Sequence, residues 1–299
     1  MRTKNVWVGF LLFAVLLVAC GPAATPTSES PPTFTAEPAT AESSLQPSPP
    51  SEGGRRTLTV VTHSSFDASE EVINAFKEHC NCDIQFLLEG DTGLMLNKTL
   101  LSKDAPLADV IYGVDNTFLS RALAGDILEA YESPVLADIP DDLELDPSFR
   151  LLPVDYGDVC LNYDKSWFED HDLVPPADLP ALLQPEYKGL TVVENPATSS
   201  PGLAFLLTTI GRFGETGDYT YLDYWAELRA NDVLVTKGWE DAYWGAFTYA
   251  SEGDRPIVVS YASSPPVEVY FADKPFEQAP TGVVAADGSC FRQIEFVGI

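Results

Sequence analysis

At 299 residues, 45% hydrophobic and 11% aromatic, the chain is long enough to bury one sizeable core or two smaller ones, which makes a purely structural peptide a poor reading. A formal net charge of -28 argues against nucleic acid or an anionic membrane surface as partner, because a polyanion is repelled at long range, and it favours a cationic ligand. Solubility alone would account for the same acidity.

The chain opens with Arg2 and Lys4, then the apolar run from Val6 to Val18, closing on Ala19-Cys20-Gly21. The run is too short to span a bilayer comfortably, and a small residue before a cysteine matches a lipoprotein signal, cleaved so that Cys20 becomes the lipidated first residue. An ordinary signal or anchor with a chance cysteine is the alternative. Residues 20–54 are then expected to be a disordered tether: Pro, Ser, Thr, Ala and Glu dominate, and Phe34 and Leu45 are the large apolar residues, too few to offset the entropy of ordering.

From Thr57 to His63 the β-branched pattern predicts a buried strand, followed by a helix over 70–79 with Ser69 as its N-cap. After Cys80-Asn81-Cys82 comes a strand over 83–88, the turn Glu89-Gly90-Asp91, a helix over 94–101 and a third strand over 108–114 that ends at Asp115-Asn116. Strand, helix, strand begins a parallel α/β layer, in which ligands collect beyond the carboxyl ends of the strands. That rule singles out three turns, bearing Ser65, Asp91 and Asp115. Residues 131–153 read as an acidic, proline-punctuated surface loop and 154–164 as an extended segment. A second lobe begins near here, with a strand over 190–194 and a helix that Thr198-Ser199-Ser200-Pro201 starts and that runs to Gly211. Such a helix start can hold an anion or a ligand hydroxyl. The aromatic run containing Trp239, Tyr243, Trp244 and Phe247 could simply be one apolar helix face, and core packing is the expectation for Trp244. His63, His79 and His171 have no metal-ligand spacing, so neither metal nor cofactor is implied.

Taken together, several of these segments resemble the thiamine-binding solute receptors of bacterial import systems of the ATP-binding-cassette type. The motifs are Leu58-Thr59-Val60 with Ser65-Phe66, Cys80-Asn81-Cys82, Ala108-Asp109-Val110 with Asp115-Asn116, Asp155-Tyr156-Gly157, Thr198-Ser199 with Pro201-Gly202-Leu203, Thr236-Lys237-Gly238-Trp239 with Ala242-Tyr243, and Ser260-Tyr261 with Ser264-Pro265. The resemblance, from about Leu58 to Val297, implies a two-lobed α/β periplasmic-binding-protein (Venus-flytrap) fold with crossover strands, apparently truncated at its C-terminal end. The expected parts are lobe 1 over 55–155, lobe 2 over 156–288 and a return strand over 289–299; the rest of lobe 1 would be absent, leaving apolar sheet surface uncovered.

It further implies a non-enzymatic, monomeric, lipid-anchored extracytoplasmic receptor that passes thiamine or a thiamine phosphate to a membrane permease. By motif, Trp239 offers an aromatic face to the ring system, Ser199 and Tyr261 meet the hydroxyethyl or phosphate end, and Asp91 meets the aminopyrimidine; Ser65 and Asp115 are further contacts from the strand ends. The physics agrees, since a thiazolium over an aromatic face gains roughly 0.5–2 kcal/mol. Two departures, His63 where the family often has Tyr and Val267 where it often has a further aromatic, leave room for a related cationic vitamin precursor. On the implied crossover segments Cys160 and Cys290 are expected to pair, leaving Cys80 and Cys82 to bridge each other in a tight turn, with buried free thiols as the alternative. The rivals are an iron receptor, which asks for clustered tyrosines, a thiaminase-like secreted enzyme with Cys160 as nucleophile, and a tethered interaction module with no small ligand.

Overall fold

The computed structural model describes residues 54–299 apart from Lys274. The expected signal segment, Cys20 and the tether up to residue 53 lie outside the described residues.

Strand β1 (Arg56–Thr62) runs parallel to β2 (Cys82–Leu88), paired from Arg56↔Cys82 to Thr62↔Leu88, with helix α1 (Glu70–Cys80) between them. The Ser69 hydroxyl accepts the Val72 N–H at the start of α1, and Asn81 ends it in the left-handed conformation, φ 49°, that asparagine tolerates better than most residues. This single-residue turn is why Cys80 and Cys82 can bridge: Cys80 ends a helix, Cys82 opens a strand, and their Cα atoms sit 5.2 Å apart. Next come α2 (Thr92–Leu101), β3 (Val110–Asp115) and α3 (Leu119–Ala124). Within the expected surface loop over 131–153, short helical turns form at Pro134–Asp138 and Asp141–Leu143, its last two residues join the next strand, and the Asp146 carboxylate accepts the N–H groups of Ser148, Arg150 and the buried Leu151.

The long strand β4 (Leu152–Asp164) leads into α4 (Lys165–Asp170), β5 (Thr191–Glu194), α5 (Ser200–Phe213), α6 (Tyr221–Ala230), β6 (Leu234–Thr236), α7 (Trp239–Tyr243), β7 (Ile257–Tyr261), α8 (Ser264–Tyr270), β8 (Thr281–Val284) and β9 (Phe291–Gly298). Among the described residues these strands form one sheet in the order β2-β1-β3-β9-β4-β7-β5-β6, with β8 paired to β4. The first half of β4 pairs antiparallel with β9, the second half with β7 and β8, and β9 pairs with β3 on its other edge. β4 and β9 are therefore the crossover strands between two lobes.

Each lobe has its own core. Val61, Met95, Leu96, Ile111, Val114 and Phe296 anchor one; Leu161, Phe168, Val193, Phe205, Tyr224 and Val259 anchor the other, and a smaller cluster gathers around Phe247 and Val258. Trp244 does not join that smaller core as expected: it is 58% exposed, while Tyr243 and Phe247 take the inward positions. In the first lobe α1 buries none of its residues, and its apolar Val72 and Phe76 flank a groove of about 600 Å³ lined also by Ile84, Phe86, Val110 and Val297.

Candidate functional site

A cleft of about 350 Å³ lies where the carboxyl ends of the first-lobe strands meet the starts of α5, α7 and α8. Its most acidic feature is a product of strand register. Glu295 on β9 stands directly opposite Asp115 on β3 and opposite Asp155 on β4, which places three carboxylates in one row across three adjacent strands. Like charges directly opposite one another destabilise a sheet unless something neutralises them. Burial, then the charge of Glu295, pushes Asp155 up to about 6. Asp115 is also pushed up to about 6 by burial, against hydrogen bonds from Ser200 and Thr117 that favour its ionised form.

One imidazole answers this row. His63, just past the end of β1, has its Nε2 3.1 Å from Glu295 Oε1. Burial works to lower the His63 pKa, but the bond and charge of Glu295, with Asp91 and Asp115 behind it, outweigh burial and raise it. A protonated His63 supplies one positive charge among several acids, so negative potential is left for a cation to use.

The aromatic part of the cleft is Trp239. Its ring is stacked on Tyr243 with centroids 4.9 Å apart, meets Tyr261 at 6.4 Å, and is fixed in orientation by an Nε1–H donated to Ser260 Oγ at 2.9 Å. Its backbone N–H is donated to Asp91 Oδ2 at 3.0 Å, and Asp91 Oδ1 accepts the Thr92 N–H at the start of α2. Asp91 thus caps a first-lobe helix and holds the second lobe's tryptophan in one contact. Beside it the Gly93 N–H donates to the Thr198 carbonyl at 3.0 Å; a Cβ on Gly93 would sit 2.8 Å from that backbone, so the approach requires glycine.

Of the residues expected at the site, Ser65, Asp91, Trp239 and Tyr261 line the cleft. Ser199 and Asp115 do not. Ser199 is fully buried as the α5 N-cap, its hydroxyl accepting the Gly202 N–H, and Asp115 is fully buried, holding the Ser200 hydroxyl and the Thr117 N–H. Ser200 is the serine at the cleft wall. The Tyr261 phenol, donating to Gln293 Oε1 at 3.4 Å, is pushed well up by burial and then by the charges of Asp91, Asp115 and Glu295. Asp155 and Glu295 were not legible as site residues; the signal available was strand alternation, which puts Glu295 on one face with Gln293 and the apolar Ile294 and Phe296 on the other. Glu194, at the end of β5, is fully buried with neither carboxyl oxygen hydrogen-bonded to another side chain or backbone group among the described residues, and burial pushes it well up, with Asp91 adding to the effect.

A disulfide joins Cys160 on β4 to Cys290 at the entry to β9. Among the described residues no group of three or more His, Cys, Asp or Glu side chains is arranged to hold a metal ion.

The family model for bacterial extracellular solute-binding proteins matches residues 105–276. The thiamine-binding periplasmic protein of Salmonella typhimurium is 32% identical over 213 residues, which is 70% of this chain and 61% of that protein. A protein of the same name from Brucella suis is 28% identical over 225 residues, 72% of this chain and 62% of the other. The chain thus spans about three-fifths of the length of the curated relatives it matches. A solved periplasmic thiamin binding protein superposes with a TM-score of 0.70 at 28% identity, covering 84% of this chain and 74% of that one. Iron-bound HitA from Pseudomonas aeruginosa superposes at 0.63 with 16% identity, covering 82% and 75%, a likeness of fold alone.

Proposed function

Since the chain belongs to the bacterial extracellular solute-binding proteins, we propose that it is a non-enzymatic receptor that captures thiamine in the cleft between its lobes and delivers it to a permease of the ATP-binding-cassette type. The observation that carries this reading is the acid row Asp115–Glu295–Asp155 beside the Trp239 face. A thiazolium is flat, aromatic and permanently positive. Stacking on an indole contributes roughly 0.5–2 kcal/mol, and carboxylates in a confined cleft add charge complementarity that water would otherwise screen.

Solute receptors of this architecture work by closure: a ligand that touches both lobes stabilises the closed state. Here Asp91 and Gly93 from the first lobe meet Trp239 and Thr198 from the second, so a ligand on Trp239 sits at the seam. We assign lobe 1 to 55–155, lobe 2 to 156–288 and the return strand to 289–299. Anchoring through a lipidated Cys20 and a tether to residue 54 would hold a monomeric receptor outside the cytoplasm, near its permease. The enzyme reading is disfavoured by Cys160, whose sulfur is held in the bond to Cys290 and cannot serve as a nucleophile.

Titration calorimetry of the full protein with thiamine tests the proposal, with ferric citrate as the competing solute. Saturable one-to-one binding, with thiamine recovered unchanged, is the expected result. Heat from ferric citrate alone, or consumption of thiamine, would overturn it.

A further inference from the structure

The second lobe carries a groove that the thiamine reading does not use. It has a volume of about 890 Å³ and borders the cleft along Trp239, Ser264 and Val267, which line both. Its own wall is aromatic: Trp244 comes from the end of α7 and Phe271 from the end of α8. Both rings leave more than half of their surface to water, so two large apolar side chains on one groove forgo burial. Exposed apolar surface gathered in this way marks a place of contact.

Trp244 is positioned by its neighbours without being covered by them. Its ring meets Tyr243 at 4.9 Å and Trp239 at 6.2 Å, both close to perpendicular. Phe271 is met in the same way by Tyr270, at 4.9 Å and 86°. Among the described residues no ring lies parallel to either, so neither has its stacking partner within the protein.

Charge narrows the occupant. Asp67 from the first lobe, Glu268 on α8 and Asp273 line the groove, and among the described residues no Lys, Arg or His does. Glu268 is fixed on the wall by the hydroxyls of Tyr243 and Thr281, which both donate to it. Lys165, whose charge is felt at Glu268, donates to the Ala279 carbonyl at 2.7 Å and is not on the lining. Ring faces are electron-rich, so aromatic walls and carboxylates ask for the same guest, a flat ring with positive charge. The size of the groove is that of a small-molecule site.

We propose that this groove is a second, weaker seat for a flat aromatic cation, taken on the ring faces of Trp244 and Phe271 with Asp67, Glu268 and Asp273 as counter-charge. It concerns a second bound molecule and other rings than the cleft, and so goes beyond the thiamine reading. With both rings open to water, affinity is expected on the order of 1 mM, so a micromolar titration reads the cleft alone.

Equilibrium dialysis of the full protein at pH 7.5 against N-methylquinolinium, with thiamine at modest excess over protein, tests the proposal. About one equivalent should bind in the millimolar range while thiamine stays bound, and neutral quinoline should bind at least about threefold more weakly. Trp244→Ala and Phe271→Ala should each weaken N-methylquinolinium by about threefold or more and leave thiamine within about twofold; both side chains are exposed, and a cooperative melt checks each variant. Complete displacement by thiamine would return the cation to the cleft and overturn the proposal. So would equal binding of quinoline, which makes the groove an apolar surface without charge preference, or full binding in both variants. The two variants locate the seat whether or not thiamine fills the cleft, so failure here is distinguishable from failure of the thiamine reading.

Discussion

Trp239 is the residue on which ligand affinity should turn. In Trp239→Ala the aromatic face is lost, and thiamine affinity should fall about 10- to 100-fold by calorimetry. Trp239→Phe keeps a smaller face, and its fold should hold because Ser260, which loses the indole N–H, still has Ser264 Oγ at 3.0 Å; only a few-fold loss is expected. The carboxyl row makes a second prediction, on pH. Ionised Asp155 favours a cation, so protonating it as pH falls through about 6 should weaken thiamine binding, by up to about tenfold per pH unit per group. Protonation of His63, whose pKa is raised, acts in the same direction. Stability without ligand runs the other way. Asp115 and Asp155 have folded pKa values raised above their unfolded ones, so the stability they contribute is complete below pH 4 and lost as pH rises through about 6. For the fully buried Asp115 that loss is on the order of 3 kcal/mol. Melting curves with and without thiamine from pH 5 to 8 should therefore converge on acidification, as the free protein gains stability and the ligand loses its grip. Parallel curves would count against the row as the cation site.

At the scale of elements, the cleft is held by helix starts. α2, α5 and α7 all begin at its wall, and Asp91 and Ser199 as N-caps orient the first two. Ser69, Asp91 and the Ser-Ser-Pro start of α5 were legible as turn and cap residues because capping is local chemistry. Whether a cap faces ligand or core was not. Both serines are buried, but Ser199 turns back to cap Gly202 while Ser200 reaches across to Asp115 at the cleft wall. The contact between α2 and the loop before α5 gives the third prediction. Gly93→Val would thrust a branched side chain into the Thr198 carbonyl, keep the lobes from seating, and lower thiamine affinity about tenfold or more. The first-lobe core should survive, since Gly93 packs against the Thr198 backbone and is not part of the apolar cluster. An unchanged affinity would mean that closure does not pass through this seam.

For the whole molecule, the two crossover strands carry the connection between the lobes, and the Cys160–Cys290 disulfide ties one to the entry of the other across 130 residues of sequence. A link closing so long a loop limits the unfolded ensemble more than the folded state. Replacing both cysteines by serine should cost about 2–4 kcal/mol of stability, measured by denaturant unfolding, while leaving thiamine binding at low temperature within a few-fold. Loss of binding in a folded double variant would instead give the disulfide a role in setting the cleft.

The sequence by itself determined the α/β alternation, the helix caps, the strand-end turn that bears Asp91, and the acidity that asks for a cation, whereas Trp239 became a site candidate only through the family resemblance. Those properties are local or additive: propensity, capping and net charge do not depend on which strand neighbours which. Only the tertiary structure decided that Asp115, Glu295 and Asp155, separated by up to 180 positions in the chain, stand in one row with His63 bonded to its central member. Strand register carries that information, and no residue reveals its cross-strand neighbour until β9 returns between β3 and β4. The same return put Asp115 behind the wall rather than on it, because burial is a property of what packs alongside and not of the residue alone.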